Sequence, residues 1–451
     1  RPPAPKAGAL TGLRYTPNAH FKTLWLYFSA AALFLNCECK DRGFFRYNKG
    51  FVVFLYQKNE LFFHSRHNKL RNKTLKMAGI YIHIPFCKRK CTYCDFYTEV
   101  SLQFIPQIVD SIVKEIEIRQ EYLQKQPVKT IYFGGGTPSV LNKEQFSLIF
   151  ESIYKHFEVN DDAEITLEAN PDDLSAEYLA SLQELPFNRI SMGIQSFDDE
   201  DLKRINRRHS AEEARMAVRN AQNAGFHNIS VDLIYGLPFQ SLEAWKRQLE
   251  MALSLNVQHI SAYGLTYEEG TALWKQREKG RVQPVDDEIM NSMYLHLVET
   301  VTQNGFEAYE ISNFAKPGFR SRHNTSYWRQ EAYLGLGPSA HSYDLQSRQW
   351  NVSSIKDYIN AIENGNSFFE KEELSQREKF NDYVMVSLRT LEGIDLNYVE
   401  NEFGKEFVVY CFDILNPFIE NKKVIQKNQH LALTPAGVMI SNVILIELMK
   451  V

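Results

Sequence analysis

Cysteine is scarce in this chain and unevenly placed, with six in 451 residues and three of those within eight positions. That is not the bridge framework a small secreted domain needs, and it fits a chain kept in a reducing cytoplasm. Positive charge is not in excess either: 51 lysines and arginines against 55 acidic residues give a net charge of −4. A general nucleic-acid binder is thereby disfavoured. Long apolar runs are also wanting. Leu24 to Leu35, interrupted only by Ser29, covers twelve residues, where a bilayer span needs about twenty. What remains, 44% hydrophobic and 24% charged, is ordinary for a globular protein with a large core. The length suggests two or three domains, unless an α/β barrel takes most of it.

The three clustered cysteines are Cys87, Cys91 and Cys94, just after the strand-like run Gly79–Ile84. Soft sulfur ligands on one short loop favour zinc or an iron–sulfur centre. Zinc would draw a fourth ligand from His83 or Asp95. A four-iron cubane on three cysteines would leave one iron open to a substrate or cofactor. From the loop alone both remain open, as does a chance grouping of thiols.

Further segments follow in order. The Cys-x3-Cys-x2-Cys loop with Gly134-Gly135-Gly136-Thr137-Pro138 downstream resembles the radical S-adenosylmethionine (SAM) superfamily. Within it, Tyr81–Cys87, Leu167–Pro171, Asp232–Pro238 and Gly337–Ser342 resemble the oxygen-independent coproporphyrinogen III oxidase group. More closely still, the chain is similar to that group's sister branch of heme chaperones. The likeness runs from about Met77 to the C-terminus. It implies an α/β fold, an incomplete (β/α)6 radical SAM barrel with a small C-terminal winged-helix-like domain. It also implies a [4Fe-4S] cluster on Cys87, Cys91 and Cys94, whose reduced form breaks a carbon–sulfur bond of SAM. By the same resemblance Tyr81, Gly135, Gly136, Thr137, Glu168, Gln195, Arg207 and Asp232 match SAM-contacting positions. Glu168 would hold the ammonium, and Arg207 would meet the carboxylate or pair with a barrel carboxylate.

The hydrophobic pattern points the same way independently. Short β-branched runs at about 79–84, 129–133, 164–168, 189–194, 229–234 and 259–263 alternate with amphipathic stretches at Phe104–Leu123, Lys143–His156, Ala211–Ala224 and Leu242–Leu255. Six βα units are the signature of a parallel sheet. Glu168, Gln195 and Asp232 fall at or just past strand ends, the active face of parallel barrels. Each alone reads equally well as a cap for the next helix. The glycine triplet alone reads as a tight turn, and Arg207 as part of a solvated basic helix face.

Two departures from the oxidases stand out. Where a further cysteine commonly follows the third, this chain has Phe96, and residues 1–76 show no likeness to the oxidases' N-terminal segment. In their place stands Arg322-His323-Asn324-Thr325-Ser326-Tyr327-Trp328, matching the HNxxYW motif associated with heme binding in the chaperone branch. A neutral imidazole at His323 suits heme iron, Tyr327 and Trp328 could pack on the macrocycle, and Arg320 and Arg322 could meet propionates. Without the family, His323 reads as a hydrogen-bonded core histidine.

The expected domains are 1–76 as a non-homologous extension with Met77 as the natural start, 77–310 as the barrel, 311–374 as a connecting region with the HNxxYW motif, and 375–451 as the winged-helix-like domain. In the last, helices at 377–390 and 395–403 precede Leu431-Ala432-Leu433 and a helix opening at Thr434-Pro435. Asp395, Glu400 and Glu402 on the candidate recognition helix carry the wrong sign for phosphates, so a lid or docking module is expected, with no nucleic-acid partner. Cys411 reads as a structural thiol. The apolar run Leu24–Leu35 has the length of a signal-peptide core, but secretion would put an oxygen-sensitive cluster in an oxidising compartment. Cys37 and Cys39 receive no role. The function implied is a cytoplasmic heme chaperone binding heme, the cluster and SAM and serving apo-hemoproteins of the respiratory chain. A homodimer and transient membrane association through clients are left open. The rival is the oxidase itself.

Overall fold

The structure, a computed structural model, describes residues 77–450. The expectations for residues 1–76, including Leu24–Leu35, Cys37 and Cys39, lie outside the described residues. Six parallel strands stand side by side in chain order: β1 (Ala78–Ile84), β2 (Val128–Gly135), β3 (Val159–Ala169), β4 (Arg189–Gln195), β5 (Ile229–Tyr235) and β6 (His259–Gly264). Helices Ile105–Ile118, Lys143–His156, Ala176–Leu182, Ala211–Asn223 and Leu242–Ser254 join them. This is the expected incomplete barrel of six βα units. The first helix stops at Ile118, and a turn through Gln124 and Lys125, at φ of 50° and 60°, leads into β2.

Strand alternation sorts the side chains. Ile80, Ile82, Ile131, Phe133, Leu167, Ile190, Met192, Val231, Leu233 and Ile260 belong to one apolar core with the helices. The alternate positions carry Tyr81, Thr130, Tyr132, Glu164, Thr166, Glu168, Arg189, Ser191, Ser230, Asp232, His259 and Ser261. The barrel interior is therefore polar. Such groups are tolerated away from water only when hydrogen-bonded or given a ligand.

Six more strands widen the sheet to twelve. β7 (Glu307–Ala308) and β8 (Asn313–Ala315) extend it antiparallel beyond β6, and β9 (Tyr333–Leu336) adds parallel to the free flank of β1. β10 (His341–Tyr343), β11 (Ser347–Asn351) and β12 (Phe369–Glu373) complete that side. The Gly337–Ser342 segment turns between β9 and β10. Its Gly337 N–H donates to the buried Glu115 carboxylate at 2.8 Å, and Arg119 donates to Ser342 Oγ at 3.1 Å. Glu115 and Arg119 also pair with each other at 3.2 Å. That motif is thus a strut of the sheet.

A second apolar core gathers Phe380, Leu396, Val399, Cys411, Leu415, Leu431 and Leu445. It joins helices Gln376–Ser387, Leu396–Phe403, Lys405–Glu420 and Ser441–Leu448 to the small sheet β13 (Ile394–Asp395), β15 (His430–Leu433) and β14 (Val424–Lys427). This is the winged-helix-like unit. Cys411 is fully buried in it, and Asp395 caps Leu396–Phe403 by accepting from the Asn397 N–H at 2.9 Å.

Candidate functional site

The cysteine loop leaves the C-terminal end of β1 and is pinned along its length. The Cys87 N–H donates to the Glu99 carbonyl at 3.0 Å, Thr92 N–H to Ile205 at 3.1 Å, and Asn206 Nδ2 to the Lys90 carbonyl at 2.8 Å. Lys88 reaches Asp173, just past β3, at 2.6 Å. Cys87 Sγ lies 3.2 Å from Thr137 Oγ1. All three cysteines are free thiols at intermediate exposure. Burial raises the thiol pKa of Cys94 to about 12 and also raises that of Cys87, so thiolates here require a cation beside them.

The loop, β2–β6 and Arg207 enclose a cavity of about 310 Å³. It is bordered by Tyr81, Cys87, Cys91, Cys94, Gly135, Gly136, Thr137, Glu168, Gln195, Arg207 and Asp232. Eleven expected residues from seven segments thus border one cavity, most at or beyond the strands' C-terminal ends as parallel barrels dictate; Tyr81 and Asp232 lie mid-strand, Asp232 contrary to the strand-end expectation. The cavity's volume is within the range of about 300–1,000 Å³ usual for small-molecule sites. A larger cleft of about 550 Å³ lies at the opposite end of β5 and β6, near Arg215, Arg219 and His227, and holds none of these residues.

Backbone conformation shapes the site at two positions. Gly135 has φ of 109°, and a Cβ there would sit 2.7 Å from the His83 ring. Gln195 adopts φ of 68° at a register shift between β4 and β5. A non-glycine in the left-handed region persists only where its surroundings hold it, commonly at functional sites. Among the polar groups, Glu168 accepts from the Tyr132 hydroxyl at 2.6 Å. Burial raises the Glu168 pKa to about 7. Burial also raises the Asp232 carboxyl pKa, beside Ser191 Oγ at 3.3 Å. Arg207 donates to Asn170 Oδ1 at 2.6 Å, to the Gly193 carbonyl, and to Cys91 Sγ at 3.5 Å. It forms no ion pair with a barrel carboxylate among the described residues, contrary to one expectation. Pattern reading missed Tyr132, Asn170 and Ser191. The period-2 alternation of polar residues within β2 and β4 was the available signal for Tyr132 and Ser191, and the Leu167–Pro171 segment for Asn170.

The radical SAM superfamily matches residues 81–252, and the HemN C-terminal domain matches 374–440. A solved structure of coproporphyrinogen III oxidase (HemN) from Escherichia coli, a radical SAM enzyme, superposes with a TM-score of 0.73 at 25% identity, covering 83% of this chain and 90% of that one. The heme chaperone HemW of Bacillus subtilis is 34% identical over 369 residues, 81% of this chain and 97% of the relative. The chain belongs to the HemW family. HemW of E. coli is 38% identical over 271 residues, 59% of this chain and 70% of that protein. The radical SAM superfamily implies a [4Fe-4S] cluster and SAM, and the donor set fits them. Three half-buried sulfurs face a cavity whose far wall carries the carboxylates of Glu168 and Asp232 and the backbone of Gly135 and Gly136.

In this HemW-family chain the HNxxYW segment forms helix Arg322–Trp328, below the barrel rather than beside the cavity. His323 is 1% exposed. Its Nδ1 lies 2.8 Å from Thr130 Oγ1 and its Nε2 2.8 Å from the Tyr327 hydroxyl. Glu164 accepts from the backbone N–H groups of Arg322 and His323, each at 3.0 Å. Arg320 pairs with Glu307 and Glu392, and Arg322 with Asp162. In this arrangement neither imidazole nitrogen faces outward, and both arginines expected at propionates are held by carboxylates.

Proposed function

We propose that this chain is a cytoplasmic heme chaperone that carries a [4Fe-4S] cluster and SAM and hands heme to apo-hemoproteins of the respiratory chain. The observation that carries it is the match to B. subtilis HemW across 97% of that protein, joined to Phe96 and the HNxxYW helix. Cys87, Cys91 and Cys94 would hold the cluster, leaving one iron for SAM. Bound there, cluster and SAM supply one-electron chemistry at a sulfonium.

The chain's own residues set the rest. An ionised Glu168 meets the ammonium of SAM, and Tyr132 keeps that carboxylate charged and aimed. Gly135, Gly136 and Thr137 present backbone to the amino acid end, while Tyr81, Gln195 and Asp232 close the sides. Arg207, tied to Asn170 and Cys91, orients the loop against β4 and places a positive charge beside the sulfurs. His323 is the proposed heme ligand. It reaches iron only when helix Arg322–Trp328 swings out and both its hydrogen bonds break, at about 1 kcal/mol net for each.

The test is an anaerobic heme titration of the cluster-reconstituted chain followed by its Soret band, beside His323→Ala. A stoichiometric site lost in the variant supports the reading; equal, weak binding in both sinks it. The HemN likeness at a TM-score of 0.73 favours a second reading, porphyrinogen decarboxylation. Incubation with coproporphyrinogen III and SAM separates the two, since only the oxidase forms protoporphyrinogen and 5′-deoxyadenosine.

A further inference from the structure

Gly79, Tyr81, Thr130 and Tyr132 share the barrel interior, and His323 enters it from below. The imidazole stacks on Tyr132 with centroids 4.9 Å apart and an interplanar angle of 23°. It also lies over Tyr81 at 6.3 Å and 26°. Glycine at position 79 keeps this end open, since a Cβ there would sit 2.8 Å from Thr130 Oγ1 and 3.3 Å from His323 Cε1. Tyr132, lying on this ring, donates its hydroxyl to Glu168. The chain of contacts thus runs from the HNxxYW helix through two rings to the carboxylate at the cavity.

We propose that His323 is a positioning residue for the SAM site, a flat support that holds Tyr132 so that its hydroxyl stays on Glu168. This rests on the reading of Glu168 as the ammonium contact and is independent of heme. An aromatic ring packed in this way limits Tyr132 to one rotamer, and the hydrogen bond it gives favours the ionised carboxylate. The groups facing Glu168 are Tyr81, Tyr132, Arg189, Asp232 and Tyr327, with the Gly135 N–H. Of these, Tyr132 is the one His323 stacks on at the shortest centroid distance.

The experiment is equilibrium binding of labelled SAM to the full, cluster-reconstituted chain from pH 6 to 8.5. The proteins compared are wild type, Tyr132→Phe, His323→Ala, His323→Phe and the double variant His323→Ala with Tyr132→Phe. Expected are an affinity loss of about tenfold at pH 7 for Tyr132→Phe and for His323→Ala, each with its pH midpoint moved upward. His323→Phe keeps the flat face and stays within about twofold of wild type. The double variant is no weaker than Tyr132→Phe alone, because both changes remove one link. A general loss of packing would weaken binding without moving the midpoint. Wild-type affinity and midpoint in His323→Ala overturn the proposal, as do additive losses or a His323→Phe as weak as alanine. Should His323→Ala not fold, Thr130→Val, which frees the ring's orientation, is expected to raise the midpoint, and an unmoved midpoint overturns the proposal. A wild type that takes up no SAM overturns the site reading underneath.

Discussion

The upper and lower parts of the barrel interior are built from the same strands and the same inward-facing positions, yet they end differently. Above, the carboxylates, Gln195 and the three thiols border a cavity. Below, most polar groups are paired among themselves, Thr130 with His323, His323 with Tyr327, Ser230 with His259 at 2.7 Å, and His259 with Tyr309 at 2.8 Å, although Arg189 Nε and Nη1 and Thr166 Oγ1 are buried without a partner among the described residues. Burial lowers the His323 pKa to about 3 and that of His259 well below the usual value, so both rings stay neutral. Residue type does not separate ligand site from structural floor. Access to a cavity does.

The comparison can be broken from above. Cys91→Ala removes one of three sulfur ligands and is expected to abolish the cluster, read as iron and sulfide content falling from near four per chain to near zero. The floor shares no atom with that loop and should keep its hydrogen-exchange protection. The converse is Glu164→Ala, which strips the acceptor from two backbone donors of helix Arg322–Trp328. A loss of about 2–4 kcal/mol in the denaturant-unfolding free energy is expected, with cluster content unchanged. A loss below about 0.5 kcal/mol would mean the helix is not anchored by that carboxylate.

Proton concentration sharpens the contrast. The raised pKa of Glu168 means that the carboxyl is neutral below about 7 and charged above it. SAM binding should therefore weaken as pH falls, by about tenfold between pH 8 and pH 6, since one group must ionise. The neutral rings of the floor predict no step of their own in that range. Arg322→Ala, which breaks an exposed pair with Asp162, is expected to cost less than about 1 kcal/mol of stability in a thermal melt. A larger loss would show that the pair, rather than Glu164, anchors the helix.

Much of the upper region was legible in the chain. The cysteine spacing, the six β-branched runs and the polar residues at their ends located the cavity, because strand period and loop position follow from local pattern. The lower region was not. His323 lies 193 residues from Thr130, and nothing within Arg322–Trp328 says that its histidine points into a barrel. The motif named the residue and left its surroundings unspecified. Strands β7 to β10 escaped pattern reading because two to four residues hold too few alternations to register. Helix period alone reads Arg207 as part of a basic face, and the resemblance that makes it a SAM contact does not show that its guanidinium folds back on Asn170.

Strand β1 lies in the middle of the twelve-stranded sheet, with β2 on one side and β9 on the other. It is the first strand of the sheet to be synthesised among those described, and one of its two neighbours, β9, is the ninth of twelve. At about 5–20 residues per second, the roughly 250 residues between β1 and β9 take about 12–50 s to translate. Throughout that interval the cysteine loop hangs from a strand whose flank is bare. The strand that carries the cysteine loop therefore gains its second neighbour only when most of the barrel has already been made.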